Sequence, residues 1–150
     1  MRLSVTTPLA IVIDVSDVAH LRAEDDTGAF GILPGHADFL TALSVSVASW
    51  RDDRGFEHHV AVRGGMLEVR DGDAIAIATP EAVPGDDLHR LESEVLDTFR
   101  RQLAEEQAAR TDAQRLYLAA IRQIARFLRA ESAPTTAAAP TLGLGDEFAP

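Results

Sequence analysis

Five histidines, His20, His36, His58, His59 and His89, are the first residues to weigh as chemistry. A zinc site wants two ligands at i, i+2 on a strand or i, i+4 on a helix, plus a third from elsewhere. No such pair occurs, and the adjacent His58 and His59 would point to opposite faces of a strand. The chain has no cysteine, which removes thiolate ligands, a cysteine nucleophile and any disulfide framework. Ser44, Ser46 and Ser49 sit in an alternating stretch without the Gly-flanked elbow of a serine nucleophile. Gly64-Gly65 lacks the following Lys and Ser/Thr of a phosphate-cradling loop. No catalytic residue, cofactor or metal is therefore assigned, and the chain reads as a non-enzyme. The rival from another class is a small cupin-like enzyme holding a metal through His20, His36 or His58.

Two other groupings offer recognition instead of catalysis. Thr27–Ala37 sets three glycines and a proline around bulky apolar residues, giving either a tight corner between sheets or a rigid loop that shows Leu33, Pro34, Gly35 and His36 to a partner. Further on, Arg115, Arg122, Arg126 and Arg129 fall within about 60° of one another on a helical projection, opposite an apolar face. Residues 108–130 hold five Arg against the single acid Asp112, in a chain whose net charge is −10. A basic stripe in an acidic protein is either a solvated helix face or a docking surface for an acidic partner.

The elements that must carry these groups can be read from period and punctuation. The chain has 150 residues, 46% of them hydrophobic and 25% charged, and every basic residue is Arg. That suits one packed domain with an appendage and argues against nucleic acid or anionic lipid as a partner. Met1–Pro8 lacks the apolar region of a signal peptide and no apolar run approaches the ~20 residues of a membrane span, so a soluble cytosolic protein is expected. Residues 1–85 contain eight of the ten glycines as turn punctuation between short runs rich in Val, Ile, Leu and Thr. Ile11, Ile13 and Val15 alternate with Val12, Asp14 and Ser16, and Leu43, Val45 and Val47 with Ser44, Ser46 and Ala48. Ala74–Ala78 is apolar on both faces, which predicts a strand closely covered on its second side. Asp71-Gly72 predicts a type I′ hairpin turn, Asp52–Gly55 a loop, and Gly64-Gly65 a tight reversal. An antiparallel sandwich or flattened barrel over 1–85 follows.

From Asp86 to Arg129 there is neither Gly nor Pro, and strong helix formers dominate. Asp86 and Asp87 can cap a first helix whose stripe is Leu88, Leu91, Val95, Phe99 and Leu103. The stripe breaks over Glu105–Arg110, and Thr111-Asp112-Ala113-Gln114 fits a capping box for a second helix. Two helices over 86–108 and 112–130 with a short connection predict an antiparallel hairpin, giving an α+β chain. The Ala/Pro-rich 131–150 reads as a disordered tail.

These residues also resemble a known family, the epsilon subunits of F-type ATP synthases, with some features of a divergent branch linked to sodium-translocating enzymes. The resemblance rests on Leu3-Ser-Val-Thr-Thr-Pro8, Gly31-Ile-Leu-Pro-Gly-His-Ala37, Ala61-Val-Arg-Gly-Gly-Met-Leu-Glu-Val69 and Asp71-Gly72, followed by the helical 86–130. It implies a non-catalytic rotor subunit of the central stalk, helping couple ion flow through the membrane ring to rotary ATP synthesis and hydrolysis. On that resemblance the sandwich binds the gamma subunit, and Leu33, Pro34, Gly35 and His36 lie near the polar loops of the c-subunit ring. The C-terminal hairpin would brake ATP hydrolysis, with Arg115, Arg122, Arg126 and Arg129 meeting acidic residues of a beta subunit. The complex would hold the chain peripherally at the cytoplasmic face of the bacterial plasma membrane. Family members that sense ATP carry Ile-Asp-x-x-Arg-Ala at the start of the first helix; here Asp87 and Arg90 match while Asp86 and Leu91 depart from it.

Overall fold

The computed structural model describes residues 1–131; the expected tail over 132–150 lies outside them. Eight strands come first: β1 (Arg2–Thr6), β2 (Ile11–Val15), β3 (Val18–Asp25), β4 (Gly28–Ile32), β5 (Phe39–Asp52), β6 (Glu57–Arg70), β7 (Ala74–Ala78) and β8 (Ala82–Gly85). A short helix α1 (Leu88–Arg90), a π-helical turn Leu91–Val95 and a long helix α2 (Leu96–Glu131) follow. The α+β class and the end of the β region at Gly85 agree with the sequence. The described residues form two units, 1–107 and the one from Ala108 onward.

The strands run in the order β2-β1-β7-β6-β5-β3-β4, with β8 also paired to β6. All pairings are antiparallel except β1 with β7, which is parallel. Parallel contact arises because the β1–β2 hairpin enters beside β7 and not beside its sequence neighbours. β5 and β6, 14 residues each, are the long ribbon that both layers of the sandwich share. Leu3, Leu21, Ile32, Leu67 and Ile77 are fully buried between the layers, with Val5, Val60, Val62 and Trp50 around them.

Gly64 and Gly65 do not reverse the chain, as the sequence suggests; they lie inside β6. Both have positive φ, +73° and +112°, so the strand bends there without ending. Before the bend β6 pairs with β8, and after it with β7. A Cβ on Gly65 would lie within bonding range of the Ala78 carbonyl oxygen, so only glycine fits this close approach. The partner strand bends in step. Leu43 faces the main core, whereas beyond Ser44 the buried set becomes Ser46, Ala48 and Trp50. Val45 and Val47 turn to the opposite side and pack against a second apolar cluster.

That second cluster consists of Ala61, Leu91, Leu96 and Phe99. Asp87 caps the helix start by accepting from the Arg90 amide at 3.1 Å. Leu91, Val95 and Phe99 pack inward as the apolar stripe predicts, but Leu88 and Leu103 are only partly covered. Leu96 joins them because the π turn closes with a Leu96 amide to Leu91 carbonyl bond, adding one residue per turn and shifting the helix phase. Arg63, mostly covered, donates to Glu106 at 2.8 Å and ties β6 to α2.

The helical hairpin is corrected to one helix. α2 runs unbroken from Leu96 to Glu131, and Thr111 lies inside it instead of capping a second. The loss of the apolar stripe at Glu105–Arg110 is real. It does not break the backbone, because Glu, Gln, Ala and Arg all favour continued helix.

Candidate partner-docking site

Leu33-Pro34-Gly35-His36 forms a tight turn in which the His36 amide donates to the Leu33 carbonyl at 3.1 Å. Proline second and glycine third at φ +81° are the residues a type II turn requires. The turn is braced from the β6–β7 hairpin. Asp71 and Gly72 have φ of 54° and 67°, as a type I′ turn needs, and the Asp73 amide donates to the Arg70 carbonyl. The Gly35 amide donates to the Gly72 carbonyl at 2.9 Å, and the Asp38 carboxylate accepts from the Asp71 amide at 2.9 Å. His36 Nδ1 donates to the Ala37 carbonyl at 2.7 Å, and its ring meets Phe39 edge-on, as Phe39 meets Phe30. Leu33 is 59% exposed at the tip.

Beside this end lies a sheet face that the sequence misjudges. Ala74, Ala76 and Ala78 are exposed, not covered, while Ile75 and Ile77 enter the core. Cross-strand register aligns Ala42, Met66, Ala78, Thr6 and Ile11 in one row across β5, β6, β7, β1 and β2. Ile11 belongs to this row because a bulge at Val5/Thr6 turns it outward; it is 68% exposed, whereas Ile13 is buried. Leu40, 62% exposed, stands next to the row. Sequence reasoning found the apolar character of this face but not its exposure, and the small alanines were the available signal.

In the unit from Ala108 onward, Arg115, Arg122, Arg126 and Arg129 are all exposed. Arg115 meets Asp112 only at 3.9 Å. On the same helix Leu116, Tyr117, Ile124 and Phe127 are also exposed. Asp87 is occupied as a helix cap, and Arg90 donates to Glu94 at 3.3 Å, with Leu91 lodged against Gly85. Arg90 therefore stands among Asp86, Asp87 and Glu94, a setting unfavourable to a polyphosphate.

The histidines do not converge. His58 Nε2 lies 3.1 Å from the Asp52 carboxylate and its ring stacks on Trp50; His59, on the opposite face, lies 2.7 Å from the Ser49 hydroxyl. Asp52 also accepts from the amides of Arg54 and Phe56, closing the β5–β6 loop. The His58 contact first, and those amides with it, hold the Asp52 carboxyl below its ordinary value against the opposing effect of burial. Asp25, bonded to the Thr27 and Thr41 hydroxyls and the Thr27 amide, is lowered likewise and pins the β3–β4 hairpin to β5. Among the described residues no three His, Asp or Glu side chains gather as a metal site would need. No described helix is long and apolar enough to cross a membrane.

A sandwich with a braced turn at one end, an open apolar sheet face and an arginine-lined helix defines a class of chain built to be held by partners. Residues 1–85 match the family model described as the beta-sandwich domain of the ATP synthase delta/epsilon chain, and the chain belongs to that family. It is 40% identical over 129 residues to ATP synthase epsilon chain 2 of Paraburkholderia xenovorans, covering 86% of this chain and 93% of that one. It is 44% identical over 131 residues to ATP synthase epsilon chain 2 of Cereibacter sphaeroides, covering 85% and 88%. Its fold is similar to a chain in the Euglena gracilis mitochondrial ATP synthase OSCP/F1/c-ring structure, with TM-score 0.54 and 24% identity over 71% of this chain and 62% of that one. The chain is thus an epsilon-type subunit of an F-type ATP synthase, a non-catalytic part of the rotor stalk.

Proposed function

We propose that the sandwich seats on the gamma subunit through the row Ala42–Met66–Ala78–Thr6–Ile11 and presents Leu33, Pro34, Gly35 and His36 to the polar loops of the c-subunit ring. The observation that carries this reading is the alanine face of β7, apolar yet left uncovered by every described element of the chain's own sandwich. Apolar surface of this extent is stabilised by a partner that removes it from water. Small side chains let a partner helix approach the sheet closely, and the braced turn beside them supplies the stiffness that torque transfer needs. The segment 86–130 is the regulatory part: Arg115, Arg122, Arg126 and Arg129 dock on acidic residues of a beta subunit and restrain ATP hydrolysis. Through the complex, the chain is held peripherally at the cytoplasmic face of the bacterial plasma membrane.

Gel filtration of a mixture of this chain with gamma tests the seating. The unaltered chain co-elutes with gamma at micromolar concentration, and Met66→Glu, an exposed change that spares the core, abolishes co-elution. Full co-elution of the Met66→Glu chain would remove the sheet face from the interface; no co-elution of the unaltered chain would remove the seating itself.

A further inference from the structure

Away from the faces assigned to partners, β3, β5 and β6 set six polar side chains side by side on one surface of the sheet. His20 lies in register with Arg51, and Arg51 with Glu57; in the next row Arg22 pairs with Ser49, and Ser49 with His59. These six line one cavity of about 350 Å³, which Leu88 and Trp50 complete.

The side chains there are unevenly satisfied. His59 is 7% exposed, and burial of an imidazole is costly unless its nitrogens find partners. Ser49 engages Nδ1 at 2.7 Å, which leaves Nε2 as the ring nitrogen free to meet a ligand. Arg22 has no ion-pair partner among the described residues, and Arg51 reaches Glu57 only at 3.4 Å. Gly31 makes room for His20, since a Cβ there would stand 3.0 Å from His20 Nε2. Glu24 and Glu92 line a smaller neighbouring cavity that shares Arg22, so the basic groups dominate on the His20–Arg51 side.

We propose that this cavity is an oxyanion site that takes a phosphate group. Two guanidinium forks give paired N–H donors matched to phosphate oxygens, and with Ser49 donating to its Nδ1, His59 carries the proton on Nε2 and adds a donor from the floor, beside His20. Glu57 closes the edge by orienting Arg51. The site is separate from the sheet face proposed for gamma, so it stands or falls independently of that face.

Calorimetric titration of the full chain with inorganic phosphate at constant ionic strength gives a saturable heat, with half-saturation below about 10 mM. Arg22→Gln, at an exposed position, weakens the response at least about tenfold while leaving the circular dichroism spectrum intact, and Arg51→Gln does the same. Glycerol phosphate as a second titrant separates the two sources of the group. Saturation by both assigns a phosphoryl group carried on a larger molecule, and saturation by inorganic phosphate alone assigns the free ion. A linear response, or one equally strong in the Arg22→Gln chain, overturns the proposal.

Discussion

Gly35 and Gly72 meet backbone to backbone. The Gly35 amide donates to the Gly72 carbonyl at 2.9 Å, and a Cβ on Gly72 would stand 2.9 Å from the Gly35 Cα. The β4–β5 connection and the β6–β7 hairpin, far apart in sequence, are thereby joined at the end of the sandwich that carries the Leu33–His36 turn. The contact has no side chain that could yield, so it is stiff.

Gly72→Ala tests that joint. Residue 72 has φ of +67°, and the added methyl meets main chain, so the turn at 33–36 must move. A loss of about 1–3 kcal/mol in urea unfolding is expected from the strain and the displaced bond. Gly55→Ala, also at positive φ but with nothing within 4 Å, isolates the conformational part and costs less. Amide shifts at Leu33–His36 that change with Gly72→Ala but not with Gly55→Ala place the effect at the joint.

Asp52 makes stability depend on acid. Its folded-state carboxyl titrates below the ordinary value near pH 4, chiefly through the His58 contact. A depressed folded pKa gives stabilisation that is full above the unfolded value and is lost as pH falls through the folded one. The urea midpoint of the unaltered chain therefore drops on acidification below about pH 4, and Asp52→Asn lowers the midpoint at neutral pH and flattens that drop. An acid limb of unchanged depth in the Asp52→Asn chain would assign it to other carboxyls, of which Asp14 and Asp25 are also lowered.

Phe99 and Phe127 sit on the same helix and should answer differently to truncation. Phe99 is 2% exposed within the Ala61–Leu91–Leu96 cluster, and Phe127 is 69% exposed. Phe99→Ala costs about 3–5 kcal/mol of the docking of the helix start, read as faster amide exchange over Leu88–Gln107. Phe127→Ala stays within about 0.5 kcal/mol in the isolated chain. Equal effects would contradict the burial pattern.

Charge reversal at Arg122 and Arg126 addresses the proposed brake. In the reconstituted enzyme, Arg122→Glu with Arg126→Glu raises ATP hydrolysis as much as deleting everything after Asp86, with assembly intact. High salt weakens the inhibition in the unaltered enzyme, since exposed ion pairs are screened. Unchanged hydrolysis in both variants would leave the segment without an inhibitory role.

Much of this architecture was legible in the chain. Turn chemistry is local: Asp71-Gly72 specifies its own φ values, and the structure places the hairpin turn where the sequence puts it. The helical character of 86–130 is likewise local, since it follows from the absence of Gly and Pro among strong helix formers. What went astray has identifiable causes. Gly64-Gly65 has the composition of a turn, but β7 and β8 pair with the chain on either side and hold it in one strand. Glu105–Arg110 loses its apolar stripe without losing helix propensity, so the surface changes there while the backbone continues.

The amino-acid order by itself determined where strands, turns and helix form, and it spelled out the strings by which the family is known, because these depend on neighbours a few residues apart. The tertiary structure alone decided which apolar faces are covered. A single extra residue, at the Val5/Thr6 bulge or in the Leu91–Val95 turn, rotates everything beyond it, sending Ile11 outward and Leu96 inward. Whether the alanines of β7 meet protein or water likewise rests on which distant segment arrives to cover them, and among the described elements of the sandwich none does.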